Sequence, residues 1–221
     1  MTDTPVKVKL CGMFRKEDID VVNQLRPDYC GFIINFPKSH RNLSIDQVKK
    51  LKDRLDDGIK SVGVFVDEDP KIIESLLNDN TIDIAQLHGN EDNDTIVHIK
   101  DSTSKPVIRA FCLGKMSSSN ISIEEIFLKI QSSKADYVLL DNGQGTGSVT
   151  DWDMISKALD NGLLHRDFFL AGGLDSNNIL SSISKLHPYA VDVSSGIETN
   201  GLKDPFKMRR FIDVLKGAKG I

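Results

Sequence analysis

The feature that most limits how this chain can fold is a rhythm: short apolar runs alternate with segments of helical periodicity from end to end. The runs fall at Lys7–Leu10 (closing on Cys11 and Gly12), Tyr29–Ile34, Ser61–Val66, Ile82–Leu87, Val107–Phe111, Tyr137–Leu140, Phe168–Leu170 and Ala190–Val193. Such short runs, rich in β-branched and aromatic residues, read as strands. Between them, apolar residues recur three and four positions apart, as in Ile45, Val48, Leu51, Leu55 and in Ile123, Ile126, Phe127, Ile130. Ser44 with Gln47, and Ser122 with Glu125, have the spacing of capping boxes, while Asp69-Pro70 and Asp204-Pro205 pair an N-cap with proline at the first helical position. Strand–helix alternation implies parallel strands with crossover helices. Eight units close most simply into an α/β (β/α)8 barrel (TIM barrel), and 221 residues is a suitable length. An open doubly wound sheet is the alternative. Nothing resembling a linker interrupts the pattern, so a single barrel domain over residues 1–221 is expected.

Charge and cysteine usage narrow the function. A net charge of −4 argues against a protein that grips nucleic acid along its phosphates. Cys11, Cys30 and Cys112 are odd in number and lack zinc-like spacing, which suggests a reducing compartment. No signal-like start and no membrane-length apolar run is evident, so a cytoplasmic protein without a membrane partner is expected.

The unusual residues are not scattered. Cys11, Arg41, His88, Asp141, Gly172-Gly173 and Ser194-Ser195-Gly196 all lie at or just past the carboxyl end of a predicted strand. In a barrel those ends surround one mouth, where the chemistry is done. Each has an ordinary explanation alone: a small buried hydrophobe for Cys11, a solvated charge for Arg41, a cap for Asp141, turns for His88-Gly89 and the glycines. Their shared position argues for more. Glycines after the last two strands suit a phosphate, held by backbone N–H groups at a short helix start with serine hydroxyls as added donors. Arg41 suits a carboxylate, which its planar fork binds bidentately, and His88 is a second candidate substrate contact. Cys11 and Asp141 remain as base and acid, on strands roughly opposite in a ring of eight. Lys7 and Lys9 share the Cys11 face of the first strand and favour its thiolate. A carboxylic acid of raised pKa can protonate a leaving oxygen. With no metal-ligand cluster and no hydride-cofactor motif, this suggests proton-transfer isomerisation of a phosphorylated small molecule, without cofactor. Closure would also set the last strand beside the first. Asp192 is therefore expected inside, within ion-pair reach of Lys9 or, failing that, Lys7.

The same residues carry a resemblance that covers nearly the whole chain. Lys9-Leu10-Cys11-Gly12 with Glu17-Asp18, Phe36 through Ser39 to Arg41, Gln86-Leu87-His88-Gly89, Leu140-Asp141, Gly145-Thr146-Gly147 with Asp151-Trp152, Leu170 to Leu174, and Val191 to Glu198 with Gly201-Leu202-Lys203-Asp204 are similar to the phosphoribosylanthranilate isomerase family of tryptophan biosynthesis. The resemblance implies an Amadori rearrangement with Cys11 as general base and Asp141 as general acid. It also implies Arg41 on the anthranilate carboxylate, and the last two loops on the phosphate. Barrels of this kind occur as monomers and as homodimers. Two departures stand out: Ser148 follows Gly143-Gln144-Gly145-Thr146-Gly147 where relatives often carry lysine, and Leu43 replaces a usual isoleucine or valine. Two other readings stay open: another phosphosugar isomerase or epimerase, whose barrels tend to use two aspartates, and a barrel that binds a phosphorylated ligand without turning it over.

Overall fold

All eight apolar runs form strands. In the computed structural model, which describes residues 6–117, 121–141 and 149–217, they are β1 (Lys7–Cys11), β2 (Tyr29–Ile34), β4 (Lys60–Phe65), β5 (Ile84–Leu87), β6 (Val107–Cys112), β7 (Tyr137–Asp141), β8 (Phe168–Ala171) and β9 (Ala190–Val193). Parallel ladders give the order β1-β9-β8-β7-β6-β5-β4-β2, and β2 pairs back onto β1 through Lys9↔Tyr29, Leu10↔Cys30 and Cys11↔Gly31. The order returns to its start, so the sheet is that of a (β/α)8 barrel and the open alternative falls. The short β3 (Asn42–Leu43) was not expected from the sequence; it adds to β2 through Ile33↔Asn42 and Ile34↔Leu43.

The chain groups into two compact units. The first takes in residues 9–110 and 134–137. Here α1 (Lys16–Leu25), α2 (Ile45–Lys52), α3 (Pro70–Asn78) and α4 (Asn93–Thr103) follow their strands, with α3 packed on α4 and β5. Ile19 and Val22, Val48 and Leu51, Ile73 and Leu76, and Ile96 and Ile99 are their buried stripes, as amphipathic spacing requires. Ser44 caps α2 reciprocally with Gln47, and Asp69 caps α3 ahead of Pro70. Two of the boundaries that differ from the sequence expectation have a clear cause. β5 begins at Ile84 rather than Ile82, because the Ile82 amide donates to the Leu76 carbonyl at the end of α3. α4 is longer than Thr95–Lys100, because Asp92 Oδ1 caps the Thr95 amide at 2.9 Å and the helix runs to Ser104, left-handed at φ 53°.

The second unit takes in the chain up to Val8, residues 111–133, and everything from Val138 on. Its helices are α5 (Leu113–Ser117), α6 (Ile123–Gln131), α7 (Val149–Asp160), α8 (Ile179–Leu186) and α9 (Pro205–Gly217), with α7 packed on α6 and α8, and α8 on α9. Ser122 and Glu125 close the expected capping box. After β9 comes a single 3-10 turn (Ser195–Ile197), then a hairpin of β10 (Glu198–Thr199) and β11 (Leu202–Lys203) that the sequence reading left unassigned. Asn200 at φ 52° and Gly201 at φ 76° form its two-residue turn, the primed geometry that matches strand twist. Residues 118–120 of the serine-rich stretch and the loop 143–148, including Gln144 and Ser148, lie outside the described residues.

Candidate active site

Cys11 ends β1, and Gly12 turns the chain at φ 74°. Opposite Cys11 on β2 stands Gly31. A Cβ there would lie 2.8 Å from Cys11 Sγ and 3.1 Å from Lys9 Nζ. The missing side chain makes room for both groups, which lie no further apart than those two distances together. Lys9 is 0% exposed. A buried ammonium beside a thiol favours the thiolate. Cys30, the neighbouring buried thiol, is driven the other way: burial first, then the charge of Cys11, push its pKa up, against an opposing effect of Lys9. Cys30 is therefore a neutral packing group, and Cys11 is the candidate base. Lower on β1, Lys7 donates to the Tyr189 hydroxyl at 2.8 Å and lies over its ring. Asp192 is buried on β9, with 8% exposure.

The loops of this first unit are tied down by charge. Asp18 accepts from the Phe14 and Arg15 amides and from the Arg15 guanidinium, which fixes the turn after Cys11. The Phe14 ring meets His40 edge-on at 6.3 Å between centroids, so the first two loops touch. Arg41 directly precedes β3, and β3 pins it beside the carboxyl end of β2. Beyond β5, the His88 amide donates to the Phe65 carbonyl, and Gln86 Nε2 lies 3.2 Å from His88 Nδ1. Gln86 is buried, and its Oε1 has no partner among the described residues. Glu91 accepts from Arg109 at 2.8 Å and from the Gly89 and Asp67 amides; Arg109 donates on to the Leu87 and Gly89 carbonyls. The His88-Gly89 turn is thus both a built turn and a platform for the imidazole.

In the second unit, Asp141 ends β7, half-buried and paired in register with Ala171. Gly172 at φ 86° and Gly173 at φ 68° take conformations that other residues rarely adopt. Asn178 Nδ2 donates to the Gly173 carbonyl at 2.8 Å, and Asp175 and Asn178 bond reciprocally. At Gly196 a Cβ would lie 1.9 Å from the Leu174 carbonyl oxygen. The loops after β8 and β9 therefore touch backbone to backbone, at Leu174 and Gly196, within or next to the two stretches expected to hold a phosphate. Beside them sits a buried pair that the sequence reading did not pick out for any role: Lys203 Nζ, 2.6 Å from Glu198 Oε1, with Ser194 accepting from the same ammonium. The Asn-Gly dipeptide at 200–201 was the available signal for the hairpin that makes it.

Cys11 and Asp141 end strands, His88, the glycines and the serines follow within three residues of one, and Arg41 lies in the loop after β2. These are positions that (β/α)8 enzymes use, and the fold and its equipment define such an enzyme. The family model for N-(5'phosphoribosyl)anthranilate (PRA) isomerase matches residues 8–214. The chain belongs to that family. It is 38% identical to the N-(5'-phosphoribosyl)anthranilate isomerase of Endomicrobium trichonymphae, covering 95% of this chain and 98% of that one. It is 38% identical to the enzyme of the same name from Thermoanaerobacter sp., covering 97% and 100%. The crystal structure of the Thermotoga maritima phosphoribosyl anthranilate isomerase superposes with TM-score 0.79 at 31% identity, covering 96% of this chain and 99% of that one. A phosphoribosyl anthranilate isomerase solved with reduced 1-(o-carboxyphenylamino)-1-deoxyribulose 5-phosphate gives 0.76 at 30% identity, covering 96% and 99%. No helix among the described residues is long and apolar enough to cross a membrane.

Proposed function

We infer that this chain isomerises N-(5-phosphoribosyl)anthranilate to 1-(2-carboxyphenylamino)-1-deoxyribulose 5-phosphate in tryptophan biosynthesis, with Cys11 as general base and Asp141 as general acid. Asp141 gives its proton to the furanose ring oxygen as the C1′–O bond opens to a Schiff base. The Cys11 thiolate removes the C2′ proton, and the resulting enolamine tautomerises to the ketone. Proton donation and abstraction balance, so the product is an isomer and no cofactor is consumed. Arg41 holds the anthranilate carboxylate, His88 contacts the substrate, and Gly172, Gly173, Ser194, Ser195 and Gly196 hold the phosphate through N–H and hydroxyl donors. The observation that carries the reading is the thiol of Cys11 set beside a fully buried ammonium, in the space that Gly31 leaves open. It also disfavours the two-aspartate phosphosugar isomerases, because the base on the first strand is a thiol. The remaining parts of the reading are one barrel domain over 1–221, a cytoplasmic location, a monomeric or homodimeric state, and no nucleic-acid or membrane partner.

The direct test follows the loss of phosphoribosylanthranilate fluorescence with the purified chain. Turnover without added cofactor is expected. A chain that binds the substrate but leaves the fluorescence unchanged would be the non-catalytic barrel instead.

A further inference from the structure

Lys203 and Glu198 stand directly opposite each other across the β10–β11 hairpin. Their side chains are 1% and 7% exposed, and Nζ lies 2.6 Å from Oε1. The ammonium also lies 3.0 Å from the Ser194 carbonyl oxygen and 3.3 Å from Ser194 Oγ. A buried ion pair is a weak source of stability, because desolvation offsets most of the attraction. Its geometry suggests a different use. An ammonium only donates, and here it faces the Glu198 carboxylate and both oxygens of Ser194. Ser194 Oγ must then accept from Lys203, which turns the serine's own proton away from the lysine. A hydroxyl that accepts from a cation is also polarised into a stronger donor. Ser194 leads into the turn whose Gly196 lies against the Leu174 carbonyl, beside the Gly172-Gly173 loop.

We propose that Lys203, held in place by Glu198, is a positioning residue that fixes Ser194 as a hydrogen-bond donor to the substrate's phosphate. The assignment deepens the phosphate-site reading given above and rests on it. Lys203 acts through the serine and touches no reacting atom, so its loss raises KM and leaves kcat nearly unchanged. It also gives an anion site where the net charge of the lysine is already balanced by Glu198, so recognition rests on oriented donors rather than on excess charge.

The test titrates inorganic phosphate into isotope-labelled protein and reads backbone amide shifts by NMR, alongside steady-state kinetics. In the unsubstituted chain the amides of residues 172, 173 and 194–196 are expected to shift; if they stay still, the phosphate-site reading itself is wrong, and the role of Lys203 goes with it. If they shift, Lys203→Met should weaken phosphate binding and raise KM by about tenfold, the usual effect of losing one charge-assisted hydrogen bond. Ser194→Ala should do the same, and the double substitution should be no worse than either alone. Wild-type phosphate affinity in a folded Lys203→Met, or losses that multiply in the double variant, would overturn the assignment. Should Lys203→Met fail to fold, Ser194→Ala decides: unchanged phosphate affinity there removes the donor that the lysine is said to orient.

Discussion

At the scale of single residues, the proposed catalysis depends on a thiol being a thiolate at the right moment, and three positions share that task. Cys11 supplies the sulfur, Lys9 the neighbouring charge, and Gly31 the space for both. Cys11→Ser is nearly isosteric but too weak an acid to supply the base, so kcat should fall about 100- to 10,000-fold with the fold retained; near-normal kcat would end the proposal. Lys9→Met removes a positive charge that stabilises the thiolate. The Cys11 pKa should rise, and the acidic limb of the kcat/KM profile should move to higher pH. An unmoved limb would mean that Lys9 serves packing alone. Asp141→Asn keeps shape but cannot give the ring-opening proton, so it should lower kcat with little change in KM, whereas Arg41→Ala should act mainly on KM. The reverse pattern in steady-state kinetics would exchange their roles.

At the scale of elements, the helices follow their local signals and the loops follow their neighbours. Ser44-Gln47, Asp69-Pro70 and Ser122-Glu125 start helices where their chemistry says they should, since a cap satisfies amides only a few residues away. β3 has no such signal: two residues become a strand only because β2 offers a ladder beside them. The hairpin at Glu198–Lys203 went unassigned although Asn200-Gly201 signals its turn, and the burial of its ion pair carried no local signal. The close approach of Gly196 to the Leu174 carbonyl makes a sharp prediction. Gly196→Ala must push the loops after β8 and β9 apart. Phosphate affinity should fall at least tenfold, well beyond any change in melting temperature, because the strain is local to a surface loop. An equally tight phosphate complex would show that the loops are free to give.

For the whole molecule, acid is the informative stress. Asp79, Asp83, Asp92, Asp153 and Asp204 are all held below the ordinary 3.8. At Asp83 burial acts to raise the pKa, but hydrogen bonds from the Ser61 hydroxyl and amide, and then Lys52, outweigh it. A carboxylate lowered in the native state stabilises the fold above its unfolded value and stops doing so as pH falls through its folded value. Stability to urea should therefore be retained above about pH 4 and drop below 3.8. Asp83→Asn should be less stable than the unsubstituted chain at neutral pH, and the gap should narrow as the pH falls. A gap of constant size would show that Asp83 acts through shape and not charge.

The sequence by itself determined the things that are decided locally or by period: eight short apolar runs, the capped helices between them, and the carboxyl-end positions of Cys11, His88, Asp141 and the glycines. Apolar periodicity and capping act over a few residues, so they can be read from a few residues. Only the tertiary structure decided which groups meet across long stretches of chain. Gly31 opening space for Cys11 and Lys9, Arg109 bracing the turn after His88, and Leu174 closing on Gly196 all join residues whose separation in sequence carries no local signal. Their contacts exist because parallel pairing fixes register between strands many residues apart, and register is a property of the closed sheet.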